Sequence, residues 1–555
     1  MAGEYRSDLL LMGSFVSSWR RSVAGIDRVL LLALALSFFS GIQALNWGWY
    51  GCLNQDAMAF RSIASIPPLH PGNFDKPPLL PYINNILINE PSKLVANAAI
   101  YFGADEHDTD SARWRWRTVS SRFLQWTFYA GLIICAFLFA RDWFGRASAQ
   151  VTALLLGTCS GLVPYKIFLT VDLPTAFFMM ACLYLSGRIM RRPDSVWLSL
   201  AAGACAGLAT AMKYNGLGIA IALPVAHFLA PGGFFAAWKR KSFYLAGIAV
   251  PAAFILANPY SVLDANNFVA DFMYNYVVTP VYGGETGTGY WWFLTKFPDI
   301  FGLPLALMLP VLVAISLLTL LGRGQSDQRR AMFVAAAVFA LYFYKIGGFP
   351  RVETRFVLPV APIALLLAAP AWEWLSRWRA VLPVLVIPLA VYGMASGWFV
   401  GKMFADDPRM EAITWARANM PAKVEIEAGD SPAWDHLEGR EVDVTRIPVG
   451  VRRNQIFTEM LGDNPWVKER LGREKEDNRA DFFAEEALRT RNPDYITFTE
   501  GYYYDVATGP FMQRLAKGEF GYRVVFDKET PAPPKWVYPQ NPDFVRTRFW
   551  ILARD

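Results

Sequence analysis

The chain has 555 residues, of which 54% are hydrophobic, 15% aromatic and only 18% charged. Soluble domains carry about 25% charged residues, so this deficit, with a mean hydropathy of +0.24, excludes an ordinary soluble enzyme and indicates a polytopic membrane protein. The net charge of +6 is too modest to indicate nucleic-acid binding and fits Lys and Arg collected in cytoplasmic loops.

The first apolar run, 29–45, follows Arg20, Arg21 and Arg28 and has no small-residue cleavage site after it, so it is expected to be a retained span. Next comes NWGWYGCLNQDAMAF with Asp56, then PPLHPGNFDKPPLLPY with Asp75 and Lys76 among prolines. An acid near the membrane surface followed by an acid–base pair in a stiffened loop suggests a catalytic site at the lipid–water boundary. The connection 46–121, about 75 residues, is too long to be a simple link. It also holds Arg61, His70, Asp105, Glu106, His107, Asp108 and the Arg/Trp mixture SARWRWRTVSSRF. That mixture suits an interfacial helix at headgroup level, and its guanidinium groups suit a lipid phosphate.

Further spans are expected at 122–140, 148–165, 172–188, 196–211, 214–230, 243–258, 300–321, 331–346, 355–372 and 380–399, eleven in all. The pair 196–211 and 214–230, joined through MKY with Lys213, reads as two spans or as one broken or re-entrant element. If the N-terminus is cytoplasmic, the cytoplasmic loops contain RDWFGR, RIMRRPD, KRK, RGQSDQRR and SRWR, all basic. The opposite side then holds loops 46–121, 166–171, 259–299 and 347–354 and the segment after residue 400. Asp172 opens a span in YKIFLTVDLPTAFFMM, with Lys166 and Lys213 on the same side. There it reads either as a helix cap ahead of Pro174 or as a functional acid. Glu285 lies in the glycine-rich YGGETGTGY, where a solvated loop acid is the plain alternative. GFPRVETRFVLP places Arg351, Glu353 and Arg355 at another turn of that side; Glu353 suits an ion pair with Arg351, and Arg355 a lipid phosphate.

Residues 1–402 thus read as a membrane domain and 403–555 as a polar domain. In the latter an amphipathic helix in DDPRMEAITWARANMP precedes strand-like runs at 423–428, 494–499, 522–527 and 544–553, the pattern of a small α/β domain. Trp434 and Tyr502 to Tyr504 are aromatic residues that either stack on sugar or fill a core. Cys52, Cys135, Cys159, Cys182 and Cys205 lack metal-ligand spacing and read as apolar fillers, and the histidines form no metal motif. No Asn-x-Ser/Thr sequon occurs, which favours a bacterial setting.

Taken in order, several of these segments resemble the GT-C glycosyltransferases, in the protein-mannosyltransferase and aminoarabinose-transferase-like (glycosyltransferase family 39-like) branch that uses polyprenyl-phosphate sugars. The resemblance rests on Asp56 after the first span, HPGNFDKPPLLPY, TVDLPTAFF, GLATAMKYNG, NPYSVLDANNFVADF, ETRFVLPVAPIALLL and DPRMEAITWARANMP. It implies a GT-C-like bundle of about 11 transmembrane helices with an outer-side C-terminal α/β domain, in the cell inner membrane. It also implies transfer of a hexose or pentose from a polyprenyl-phosphate donor to a hydroxyl of a lipid, glycan or protein acceptor, with inversion and with Asp56 as general base. Many relatives carry Asp-Glu in the first loop, whereas Ala57 follows Asp56 here. If a second acid is required, Asp75 or Asp172 must supply it, and these two would also hold a divalent metal ion in a metal-dependent member. Lys76, Lys213, Arg355 and Arg61 are the expected phosphate and substrate contacts, with Glu285 in a loop beside them. A transporter or lipid flippase is the competing class; it would collect its acids and broken helices near mid-membrane.

Overall fold

The computed structural model describes residues 27–48, 68–278, 289–323, 326–349, 352–429, 434, 437, 441–447, 465, 480–504, 508–540 and 545–555. Asp56, Arg61, Glu285 and Arg351 lie outside the described residues. Among the described residues the helices of twelve or more residues, in chain order, are α1 (Arg28–Phe39), α2 (Glu90–Tyr101), α3 (Glu106–Trp143) and α4 (Arg146–Gly157). Then follow α5 (Asp172–Arg191), α6 (Val196–Met212), α7 (Tyr214–Leu229), α8 (Lys241–Ala257), α9 (Ala265–Val278), α10 (Leu303–Arg323) and α11 (Ser326–Gly347). The last three are α12 (Thr354–Leu375), α13 (Val381–Ala405) and α14 (Pro408–Asn419).

Each expected span falls on helix. Among the described residues six helices are long and apolar enough to cross a membrane, or seven if α4 and Ser160–Ile167, bent by 52°, are one span. The chain is therefore a multi-pass membrane protein. Helices α1, α6, α7 and α8 are shorter apolar helices. Burial sorts the bundle: 94% of the most apolar stretch of α12 is buried, against 28% for α10. Helix α12 is thus a central element, and α10 turns most of its leucines outward, as a lipid-facing helix does. Helices α6 and α8 approach closely through Gly203 and Gly207, where a Cβ would run into the carbonyls of Ala246 and Val250. Small residues are what permit such backbone contact in lipid. Steps of four on α6 match steps of four on α8, so the two run parallel.

The Arg/Trp segment differs from its expectation. It forms no separate interfacial helix but the first turns of α3, a continuous helix of 38 residues. No proline interrupts it, and Arg122 is drawn inside, donating to the carbonyls of Leu45, Trp47 and Ile167. The amphipathic element of this region is α2, which leaves Leu94 and Val95 exposed.

After α13 a five-stranded sheet forms from β1 (Lys423–Ala428), β2 (Glu441–Arg446), β3 (Tyr495–Thr499), β4 (Tyr522–Glu529) and β5 (Arg548–Arg554). The strand order is β2-β1-β3-β5-β4. β1 is parallel to β2 and β3, while β5 is antiparallel to β3 and β4. Alternation along β5 splits the core: Phe549 and Ile551 pack with Ala412, Ile413 and Ala416 of α14, while Trp550 and Leu552 pack with Leu488, Met512 and Leu515. Strand β2 was not expected. Its sequence EVDVTR sits at a sheet edge, half-exposed, and has no apolar run to announce it.

A buried polar joint ties the end of the first span to this region. Arg409 grips Asp407 through two hydrogen bonds of 3.0 and 2.7 Å, and the indole of Trp47 donates to the same carboxylate at 3.0 Å. All three side chains are buried. Asp407→Ala should cost about 3–5 kcal/mol, because it strands a buried guanidinium, and adding Arg409→Met should restore most of that loss. Unfolding of the detergent-solubilised protein, followed by tryptophan fluorescence, checks this; equal losses in the single and double variants would contradict it.

Candidate functional site

The site is built where helices end. Asp172 is the first residue of α5, so its carboxylate faces the positive end of that helix. The helix cap is Val171 rather than Asp172. The carboxylate accepts hydrogen bonds from Thr170 Oγ1 at 2.9 Å and from Lys213 Nζ at 2.6 Å. Lys213 lies at the break between α6 and α7, with an extended backbone (φ −154°, ψ 129°). The MKY join therefore lies between two helices, α6 and α7. Asp172 is 3% exposed and the Lys213 side chain 21%. Burial, the largest influence, holds the Lys213 ammonium below the ordinary lysine range; Asp172 opposes this, while Arg355 and Lys76 add to it. Lys76, Lys213 and Arg355, more than 130 residues apart in sequence between neighbours, thus share one electrostatic field.

Arg355 comes from the first turn of α12. Its guanidinium pairs with Glu353, the partner expected for Arg351. The Phe356 ring serves both cations, with its centroid 5.5 Å from Lys213 Nζ and 5.8 Å from Arg355 Cζ. Next to this turn lies an acid that sequence reasoning passed over. Asp299 accepts a 3.4 Å hydrogen bond from Thr354, and burial raises its carboxyl pKa while Lys296 and Thr354 pull the other way. The only signal for it was its position at the start of an apolar run, which many structural acids share.

The turn leading to Lys76 is held by its backbone at Phe74 and Asp75. The Tyr214 hydroxyl donates to the Phe74 carbonyl at 2.7 Å, and the Phe74 amide donates to Asp271 of α9 at 2.8 Å. Asn275 donates to the Asp75 carbonyl, and His70 meets Asp264 at 3.1 Å. Residues 70–75 are therefore fastened to α9, and Tyr214 joins them to the residue beside Lys213.

Other candidates are engaged elsewhere. Lys166 turns to the end of α1, donating to the carbonyls of Ser37 and Ser40 and to Ser40 Oγ. Arg117 donates to Asn89 at 2.8 Å and lies over Trp114, and Arg122 caps carbonyls as described. Trp434 is buried and donates to Thr497, and Tyr502 is buried as well, so both fill the core; Tyr504 is exposed. Among the described residues no three His, Cys, Asp or Glu side chains converge as metal ligands. Asp172 in particular already uses one oxygen for Lys213 and the other for Thr170.

Residues 117–260, which contain Asp172 and Lys213, match the model of the dolichyl-phosphate-mannose-protein mannosyltransferase family. ArnT from Cupriavidus metallidurans, solved bound to undecaprenyl phosphate, superposes with a TM-score of 0.52 at 14% identity, over 95% of this chain and 97% of that one. The chain has the GT-C fold. In the apo state ArnT superposes with a TM-score of 0.54 at 14% identity, over 94% of this chain and 97% of that one. A second GT-C structure, the apo oligosaccharyltransferase of Archaeoglobus fulgidus, gives a TM-score of 0.52 at 15% identity, over 92% and 75%. No curated protein sequence matches the chain.

The Asp172–Lys213 pair should behave as a unit. Asp172→Asn and Lys213→Gln should each destabilise the protein, and the double variant should lose less than their sum, with a coupling of about 0.5–3 kcal/mol. Thermal unfolding of the four proteins of the cycle measures it; strict additivity would contradict the pairing.

Proposed function

We propose that this chain is an integral-membrane glycosyltransferase that moves a sugar from a polyprenyl-phosphate donor to an acceptor hydroxyl on the outer face of the membrane. The observation that carries this reading is the half-buried Lys213, paired with Asp172 and pressed by the like charges of Arg355 and Lys76. Cations brought together at the end of a membrane helix repel one another, and an anionic ligand such as a lipid phosphate relieves that repulsion. The likeness to ArnT, whose structure holds undecaprenyl phosphate, and the match to a family named for dolichyl-phosphate-mannose support the same donor chemistry.

In this reading eleven helices cross the membrane. Residues 1–402 form the transferase bundle, and 403–555 form a domain on the periplasmic or extracellular side of the cell inner membrane. The acceptor hydroxyl, on a lipid, glycan or protein, gives its proton to Asp56 and attacks the anomeric carbon opposite the phosphate. The bond from that carbon to the phosphate oxygen breaks, the electron pair leaves with the phosphate, and the configuration inverts. Lys213, Arg355 and Lys76 hold the departing phosphate, and Arg61 and Glu285 lie on the loops of the same face. Asp172 keeps Lys213 charged, and Asp75 orients Lys76 or the acceptor. No step here passes through a metal ion. A transporter would instead gather these groups at mid-membrane helix breaks.

Asp56→Asn should lower transfer of radiolabelled sugar from polyprenyl phosphate by about 10²–10⁴-fold, the range of general-base catalysis, with unchanged folding and unchanged binding of undecaprenyl phosphate. Transfer at the wild-type rate would remove Asp56 from the chemistry.

A further inference from the structure

The turn that delivers Asp172 is bent into a conformation its residues do not favour. Leu169 has a left-handed backbone (φ 60°) although it carries a bulky side chain, and it is buried. Such a backbone is rare outside glycine and persists only where the surroundings over-determine it. Here the surroundings are α3. The Arg122 guanidinium donates to the Ile167 carbonyl at 3.3 Å, and the Gln125 carboxamide donates to the Thr170 carbonyl at 2.9 Å. Three residues apart on a helix, the two share a face and hold the turn on both sides of Leu169.

Thr170 passes this hold onward. Its carbonyl takes Gln125, and its hydroxyl donates to Asp172, whose other oxygen takes Lys213. Three consecutive links thus run from α3 to the ammonium at the α6–α7 join. Gln125 is 0% exposed and Thr170 is buried, so water does not replace either partner. The Gln125 Oε1 has no hydrogen-bond partner among the described residues. A carboxamide buried at that cost for a bond to one carbonyl adds little net stability, and what it does supply is the place of Thr170. At the far end of the chain, Lys213 keeps 21% of its side chain exposed, so a ligand can still reach it.

We propose that Gln125 is a positioning residue for the donor phosphate, fixing Lys213 through Thr170 and Asp172. This rests on the glycosyltransferase reading and adds to it a residue that touches no substrate. An ammonium on a flexible four-carbon stem has no fixed place of its own and goes where its carboxylate holds it. That carboxylate belongs to the first residue of α5, whose start is set by the turn that Gln125 clamps. Without the clamp the left-handed turn relaxes, and Lys213 no longer meets a phosphate together with Arg355 and Lys76.

Equilibrium binding of undecaprenyl phosphate to the full chain in nanodiscs tests this, with the wild type, Gln125→Met, Lys213→Gln and the double variant. Gln125→Met keeps an unbranched side chain and loses the donor. It should bind about tenfold more weakly than the wild type. In the Lys213→Gln background the same substitution should change binding by less than about twofold, because the group it positions is gone. Trp434→Phe, which loses a hydrogen bond in the tail domain, is the stability control and should bind like the wild type. Binding within about twofold of wild type in Gln125→Met would overturn the proposal. So would a loss that persists undiminished without Lys213, which is what a general loosening of the bundle gives. If Gln125→Met does not fold, Gln125→Leu makes the same comparison. A wild type that fails to bind undecaprenyl phosphate would instead overturn the donor assignment, and the role of Gln125 with it.

Discussion

A lysine ammonium withdrawn from water at the end of a membrane helix is tolerable only beside a carboxylate. Lys213 has that carboxylate in Asp172, at 2.6 Å, and much of the architecture follows from the pairing. The start of α5 must lie against the α6–α7 join, and the chain must break its helix at Lys213 so that the side chain can reach across. Glycines on α6 bring α8 in at the same level. Arg355 and Lys76 then enter a field that is already polarised. They press on Lys213 as like charges, and in the proposed function the donor phosphate is what answers them.

The same region depends on contacts between segments far apart in sequence. Residues 70–75 are fastened to α9 by Asp264, Asp271 and Asn275, and to the α6–α7 join by Tyr214. On the other flank, Trp47 is fixed by the buried Asp407–Arg409 pair, and Arg122 holds the carbonyls of Leu45 and Trp47. Both described flanks of residues 49–67 are therefore anchored. In the proposed mechanism Asp56 lies between them in sequence.

Hydropathy made the spans legible, since a lipid-crossing helix must be apolar along about 20 residues. Charge pattern made Asp172 and Lys213 legible as neighbours at one end of the bundle, because ionisable groups there stand out against an apolar background. What the sequence left out were partnerships whose members look ordinary alone. Arg122 and Lys166 resemble phosphate contacts by composition, yet each is spent on backbone carbonyls, Lys166 at the end of α1 and Arg122 on Leu45, Trp47 and Ile167. Glu353 was expected to pair with Arg351, which lies outside the described residues, and its contact with Arg355 shows only in the geometry. Strand β2 lacks an apolar run because a sheet edge does not require one.

The central claim is that Lys213, Arg355 and Lys76 form the phosphate seat of a lipid-linked donor. A cryo-EM map of the full chain in nanodiscs with undecaprenyl phosphate tests it most directly. The account predicts phosphate density in ion-pair contact with Lys213 and at least one of Arg355 and Lys76, with the Asp172–Lys213 pair intact. Density for the phosphate away from all three cations, with Lys213 still bound only to Asp172, would contradict it.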